Sequence, residues 1–298
     1  MSINSLRDRL FTPDEWPERW QELPASGRAS TLKSAAIAAL SAANLDDKIS
    51  LTRQAAWGWF SGGIGPGGDV ALPVPSRPGR PEQPNLVAPS QLKRRSLRSE
   101  KGRFALLHAI AHIELNAIDL ALDVVARFCD PKHQMPRSFY DGWMRVALEE
   151  AKHFSLLRER LAQIGGAYGD LDAHDGLWEA AQETGHSLDA RLAVVPLILE
   201  ARGLDITPSL LRQMDEVGDH DSRRIFEIIY RDEEGHVAVG AKWFRFLCLR
   251  RGISPSHEFQ RLVRLHFRGP LKPPFNDLAR ARAGLTPGFY RALSSAGT

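Results

Sequence analysis

Four glutamates stand where the apolar stripe of a helix ought to run unbroken. Glu114 shares its helical face with Leu107, Ile110, Ala111, Ala117, Ile118 and Ala121, and Glu150 shares its own with Trp143, Val146, Ala147, Phe154 and Leu157. Glu200 falls among Ala193, Pro196, Leu197, Gly203 and Leu204, and Glu233 among Ile229, Tyr230, Val237 and Gly240. Burying one ionised carboxylate in such company costs several kcal/mol unless a positive group compensates it, and four converging carboxylates also repel one another. A pair of multivalent cations removes both penalties. Two of the glutamates have a histidine three residues on, in Glu150-Ala-Lys-His153 and Glu233-Glu-Gly-His236. That spacing sets carboxylate and imidazole side by side on one helical face. A Glu from each of two helices, with Glu-x-x-His from each of the other two, is a known ligand set for a carboxylate-bridged metal pair. Mixed carboxylate and imidazole donors suit iron or manganese. Glu114, Glu150, His153, Glu200, Glu233 and His236 are therefore the expected metal ligands and catalytic residues. The spacings agree with this, since 36 residues separate Glu114 from Glu150 and 33 separate Glu200 from Glu233, so each pair can meet midway along a helical hairpin.

Neighbouring titratable residues fit the pattern less well. Glu149 and Glu234 point about 100° away from the ligands beside them. Glu149 paired with His153 is a rival reading, disfavoured because Arg145 and Lys152 flank Glu149. His112 lies two residues before Glu114 and so faces nearly the opposite way. It and His108 are expected to be hydrogen-bonded or exposed, and His186 to be structural. Tyr230, one turn before Glu233, is expected to pack or to line the pocket. If the two Glu-x-x-His helices cross with pseudo-two-fold symmetry, Asp232 reaches the second ring nitrogen of His153, and Glu149 that of His236.

The elements that must position these residues are helices. Ser30 to Phe60 reads as helical. Between Ser61 and Ser90 come six glycines and seven prolines, which sustain neither a helix nor a central strand, so an extended loop is expected there. Four long helices follow, over about 99–128, 136–164, 172–202 and 219–249. Gly203 is the expected C-cap of the third, Pro196 its kink, and Thr207-Pro208 the start of a separate short helix. One amphipathic piece and a proline-rich extension complete the chain. The fold class is all-α, a four-helix bundle at 99–252 with an N-terminal helical extension and Gly/Pro-rich loop at 1–98 and a basic C-terminal extension at 253–298.

Bulk composition narrows the function. The chain has 298 residues, 43% hydrophobic and 25% charged, as expected of a globular protein. Its longest apolar run, LAVVPLIL from Leu192, is too short to span a bilayer, and no signal peptide is evident, so a cytoplasmic protein is expected. Cys129 and Cys248 make neither a disulfide framework nor a thiolate metal site. The net charge of +3 hides basic flanks, with eight Lys/Arg against two Asp/Glu from Arg77 to Arg103 and eleven against two from Lys242 onward. Such flanks attract anions. Without interleaved aromatics, nucleic acid stays the lesser expectation.

The segments HAIAHIELNAIDLALD, MPRSFYDGWMRVALEEAKHFSLL, LAVVPLILEARGLDITP and RDEEGHVAVGAKWF, with GRPEQPNLV upstream and PPFN downstream, resemble a bacterial ferritin-like family catalogued as a domain of unknown function. The likeness spans roughly residues 60 to 290. The chain is more distantly similar to the di-iron tRNA hydroxylase and to soluble di-iron oxygenases. The resemblance implies a ferritin-like fold and the same six ligands. In that frame Glu150 and Glu233 bridge two irons, Glu114 and His153 complete one, and Glu200 and His236 complete the other, with manganese an alternative at either position. The expected activity is an O2-activating di-iron oxidoreductase, a hydroxylase-type monooxygenase on an unidentified small molecule, served by an electron donor and working as monomer or homodimer. The alternatives are an iron-binding ferroxidase and a tRNA-modifying hydroxylase.

Overall fold

A computed structural model describes residues 29–67, 72–92 and 96–294. The beginning of the expected N-terminal extension, residues 1–28, lies outside them, as does the basic run at 93–95. The described residues form α1 (Leu32–Ser41), α2 (Leu45–Phe60), α3 (Glu100–Arg127), α4 (Arg137–Gln163), α5 (Gly176–Glu183), α6 (Leu188–Val194), a π-helical turn (Val195–Glu200), α7 (Ala201–Glu216), α8 (His220–Arg250), α9 (Pro255–His266), α10 (Asp277–Arg282) and α11 (Pro287–Tyr290). Three isolated β-bridges are the whole of the extended pairing among these residues. The fold is an all-α bundle, and none of its described helices is long and apolar enough to cross a membrane.

Contacts group the chain into two compact units. One comprises residues up to 83 with 114–152, the other 84–113 with 153 onward, so α3 and α4 each run unbroken through both.

In the first unit the stretch expected to be helical is divided by a break into α1 and α2. Asn44 causes the break, because its side chain accepts from the backbone N–H groups of Asp46 and Asp47 and so starts a new helix. The Gly/Pro-rich loop is fastened. Gly79 donates to Leu40 O at 2.9 Å, and a Cβ there would lie 2.2 Å from Ser41 O, so only glycine fits. The next residue, Arg80, reaches Asn116 Oδ1 at 2.6 Å and Asp119 Oδ2 at 2.9 Å. Fully buried Lys48 binds the other oxygen of Asp119 at 2.6 Å and the carbonyls of Ala39 and Leu40. Arg127 ties Asp123 to the carbonyl of Pro75.

In the second unit the third bundle helix departs from expectation at three places. It begins at Leu188, with α5 split off before it. Pro196 falls inside a π turn, in which Ala201 N–H reaches back to Pro196 O. The rod then continues through Gly203 and Pro208 to Glu216, so Gly203 is no C-cap and Thr207-Pro208 starts no new helix. Packing overrides these local stop signals, because α7 lies along α8 and buries Leu204, Thr207, Leu210 and Met214. Gly240 of α8 meets the π turn so closely that a Cβ would stand 2.5 Å from Pro196 Cβ.

Candidate metal centre

The helices that carry the centre are long and firmly started. α8 begins on Asp219, whose carboxylate accepts from Ser222 N and binds Arg160 at 2.9 Å, and those bonds hold its carboxyl below the usual aspartate range against the effect of partial burial. Glu114 sits at the middle of α3 between buried Ala111, Leu115, Ala117 and Ile118, and Glu150 on α4 between Ala147, Ala151 and Phe154.

Four side chains converge. Glu114, Glu150, His153 and Glu233 each offer a ligand atom, and these atoms all lie within 4.8 Å of one another. Exposure is 3%, 0%, 0% and 8% in that order, so water cannot bear the charge of three carboxylates. Three carboxylate oxygens and an imidazole nitrogen are hard and borderline donors, the set that iron and manganese accept. His236 adjoins the group. It is fully buried, its Nδ1 is 3.5 Å from Glu233 Oε1, and its ring centroid is 5.7 Å from that of His153.

Glu200 stands outside the group of four and is half-buried. Its expected face assumes 3.6 residues per turn, whereas Glu200 closes a π turn, and each extra residue in a turn rotates the rest of the helix by about 100°. The same turn is the sort of irregularity that recurs at functional sites.

Around the ligands the hydrogen bonding is specific. His153 Nε2 donates to Asp232 Oδ2 at 3.1 Å, the partnership expected from helix geometry. Asp232 also accepts from Arg231 Nε at 3.2 Å, so it holds both the histidine and an arginine. His108 and His112 are hydrogen-bonded and buried. His112 Nε2–H donates to His174 O, which leaves Nδ1 to accept from Tyr168 Oη at 2.8 Å. His108 Nε2 accepts from Gly169 N–H at 2.9 Å, and burial, opposed by Asp170, holds that imidazole below the usual histidine range. His186 lies against His266, with ring centroids 5.2 Å apart and the rings tilted by 51°. Tyr230 Oη accepts from Asn276 Nδ2, a partner that no spacing in the sequence signals.

The fold and site together define a class, an all-α protein whose long helices gather a buried carboxylate and histidine donor set. Within that class the chain belongs to the family described as Protein of unknown function (DUF455), whose model matches residues 41–291. A Haemophilus influenzae protein described as an uncharacterized protein is 44% identical over 209 residues, covering 69% of this chain and 73% of that one. No solved structure matches the chain.

Proposed function

We propose that the protein is a di-metal oxidoreductase, with iron as its metal, that activates O2 to hydroxylate a small-molecule substrate. The observation that supports it is the buried group of Glu114, Glu150, His153 and Glu233. Those four are the complete set assigned above to one ion, with Glu150 and Glu233 shared; Glu200 and His236 would complete the second. Because Nε2 of His153 is engaged by Asp232, that histidine would bind through Nδ1. An iron pair, when bound, supplies the one-electron and O2 chemistry that no side chain here performs. The chain's own part is to hold the donors, to fix the tautomer of His153 through Asp232, and to keep water out with the Ala, Leu and Phe residues around them.

Protein loaded anaerobically with Fe(II) and desalted is expected to retain about two ions per chain, by the ligand logic of such bundles. On exposure to O2 it is expected to consume the gas without building a mineral. Retention near zero overturns the reading. Uptake of many irons per chain transfers it to the ferroxidase alternative.

A further inference from the structure

The C-terminal extension is tied to the two helices nearest Glu233. Pro208, inside α7, has no N–H, so the carbonyl four residues earlier, on Leu204, lacks its helical donor. Asn276 supplies one, with Nδ2 3.1 Å from Leu204 O. The same amide nitrogen donates to Tyr230 Oη at 2.9 Å, one turn before Glu233 on α8. A single amide thus joins α7 to α8 beside the ligand.

Further bonds seat that amide. Asn276 N–H donates to Asp205 Oδ1 at 2.9 Å. Buried Asp205 also accepts from Arg280 Nε at 2.8 Å and Nη2 at 2.7 Å. The Arg280 guanidinium lies over the rings of Phe275 and Tyr290, at 5.1 and 4.6 Å from their centroids. Arg202 of α7 donates to the carbonyls of Lys272 and Pro274. Arg282 forks onto Glu234, the residue after Glu233, at 3.0 and 2.9 Å.

Glu233 is therefore bracketed along its own helix, with Tyr230 on one side and Glu234 on the other both held by residues of the extension. Across from it is backbone, since a Cβ on Gly203 of α7 would lie 3.8 Å from Glu233 Cγ. Any loosening of α7 from α8 changes where that carboxylate aims. Resting on the metal reading above, we propose that residues 272–282 form a strap in which Asn276 is a positioning residue for Glu233, and that the strap sets how tightly the centre holds metal.

Two variants test this on the full-length protein. Asn276→Ser keeps an oxygen to cap α10, as Asn276 does for Ala279 N–H, but has no amide to bridge the helices. Tyr230→Phe removes only the hydroxyl acceptor. Arg261→Ala, on an exposed ion pair with Glu258 of α9, is the control. The readouts are metal affinity by chelator competition, the optical spectrum of the cobalt(II)-loaded protein, and the thermal midpoint of the protein with and without metal. Both strap variants are expected to lose roughly tenfold in affinity, the low end for groups that orient a ligand. Their cobalt bands should shift, the metal-free midpoint of Tyr230→Phe should stay at the wild-type value, and the control should match wild type throughout. Wild-type affinity and cobalt bands in Tyr230→Phe, in a protein that does bind metal, overturn the strap and leave the metal reading standing. Equal loss of midpoint with and without metal in both variants reduces the strap to packing and also overturns it. Wild-type protein that binds no metal overturns the reading beneath it and the strap with it.

Discussion

Two buried carboxylates on α3 are handled in opposite ways. Asp119, fully buried, meets Lys48 at 2.6 Å and Arg80 at 2.9 Å. Glu114, only five residues earlier, belongs to a group of three carboxylates and one imidazole whose donor atoms lie within 4.8 Å of one another. The first cluster is neutralised by the chain's own cations. Even so, burial pushes the Lys48 ammonium below its ordinary range against the pull of Asp119, which shows how much desolvation weighs here. The second group carries, within itself, three negative charges against at most one positive. The contrast sets a cluster balanced by lysine and arginine beside a buried carboxylate and imidazole group that could hold a metal ion.

The sharpest way to break the comparison is to remove a shared ligand. Glu150→Ala and Glu233→Ala are each expected to take metal content from about two ions per chain to near zero, because in the proposed centre each carboxylate would serve both ions. Glu114→Ala and Glu200→Ala should weaken chiefly one. Equal, mild losses across all four, read by metal analysis of desalted protein, would contradict the bridging assignment.

The structural cluster should respond in stability instead. Lys48→Met leaves Asp119 with one cation fewer in a dry site, and breaking a buried pair in this way costs about 3–5 kcal/mol. Thermal or denaturant unfolding checks it, and metal content per folded chain should be unchanged. Next in size comes Asp232→Asn, which keeps the shape of the His153 partner but removes its charge. Metal affinity is expected to fall roughly tenfold, less than for any shared ligand. Unchanged affinity and spectra would make Asp232 a surface partner of Arg231.

The smallest effect concerns His108. Unfolded, it takes up a proton near the ordinary histidine value of about 6.5, whereas folded it does so only at lower pH. Its contribution to stability is therefore full above about pH 6.5 and is lost as pH falls from there through the folded value. The thermal midpoint of metal-free protein should drop between about pH 7 and pH 5. His108→Gln, which retains an acceptor for Gly169 N–H, should flatten part of that drop. Identical pH profiles for the two proteins would count against the buried, neutral imidazole.

Much of this was legible in the residues themselves. α3, α4 and α8 follow from apolar periodicity bounded by Asp130-Pro131, Gly165-Gly166 and Gly252. The group of four follows from glutamates interrupting those stripes. The bond from His153 to Asp232 follows from two helices crossing at matched registers. Where expectation failed, a local signal lost to something distant. Pro208 reads as a helix start, yet the α8 face carries the helix past it. The partners of Asp119 lie 71 residues earlier on α2 and in the Gly/Pro-rich loop at Arg80, although Asp119 and Asp123, interrupting the apolar run in Asn116-Ala-Ile-Asp-Leu-Ala-Leu-Asp123, carried as strong a signal of a buried acid as Glu114 did.

The order of the strap along the chain has a consequence for how the protein is made. Asn276 comes 40 residues after His236, the last expected ligand. At a synthesis rate of about 5–20 residues per second, a growing chain spends seconds with all six expected ligands made and the strap still to come. During that interval α7 and α8 have their packing and the ion pair of Asp215 with Arg223 at 2.8 Å, without the amide that bridges Leu204 and Tyr230. On the metal reading proposed above, metal would reach a nascent bundle before the strap is in place and would leave a finished one only past it.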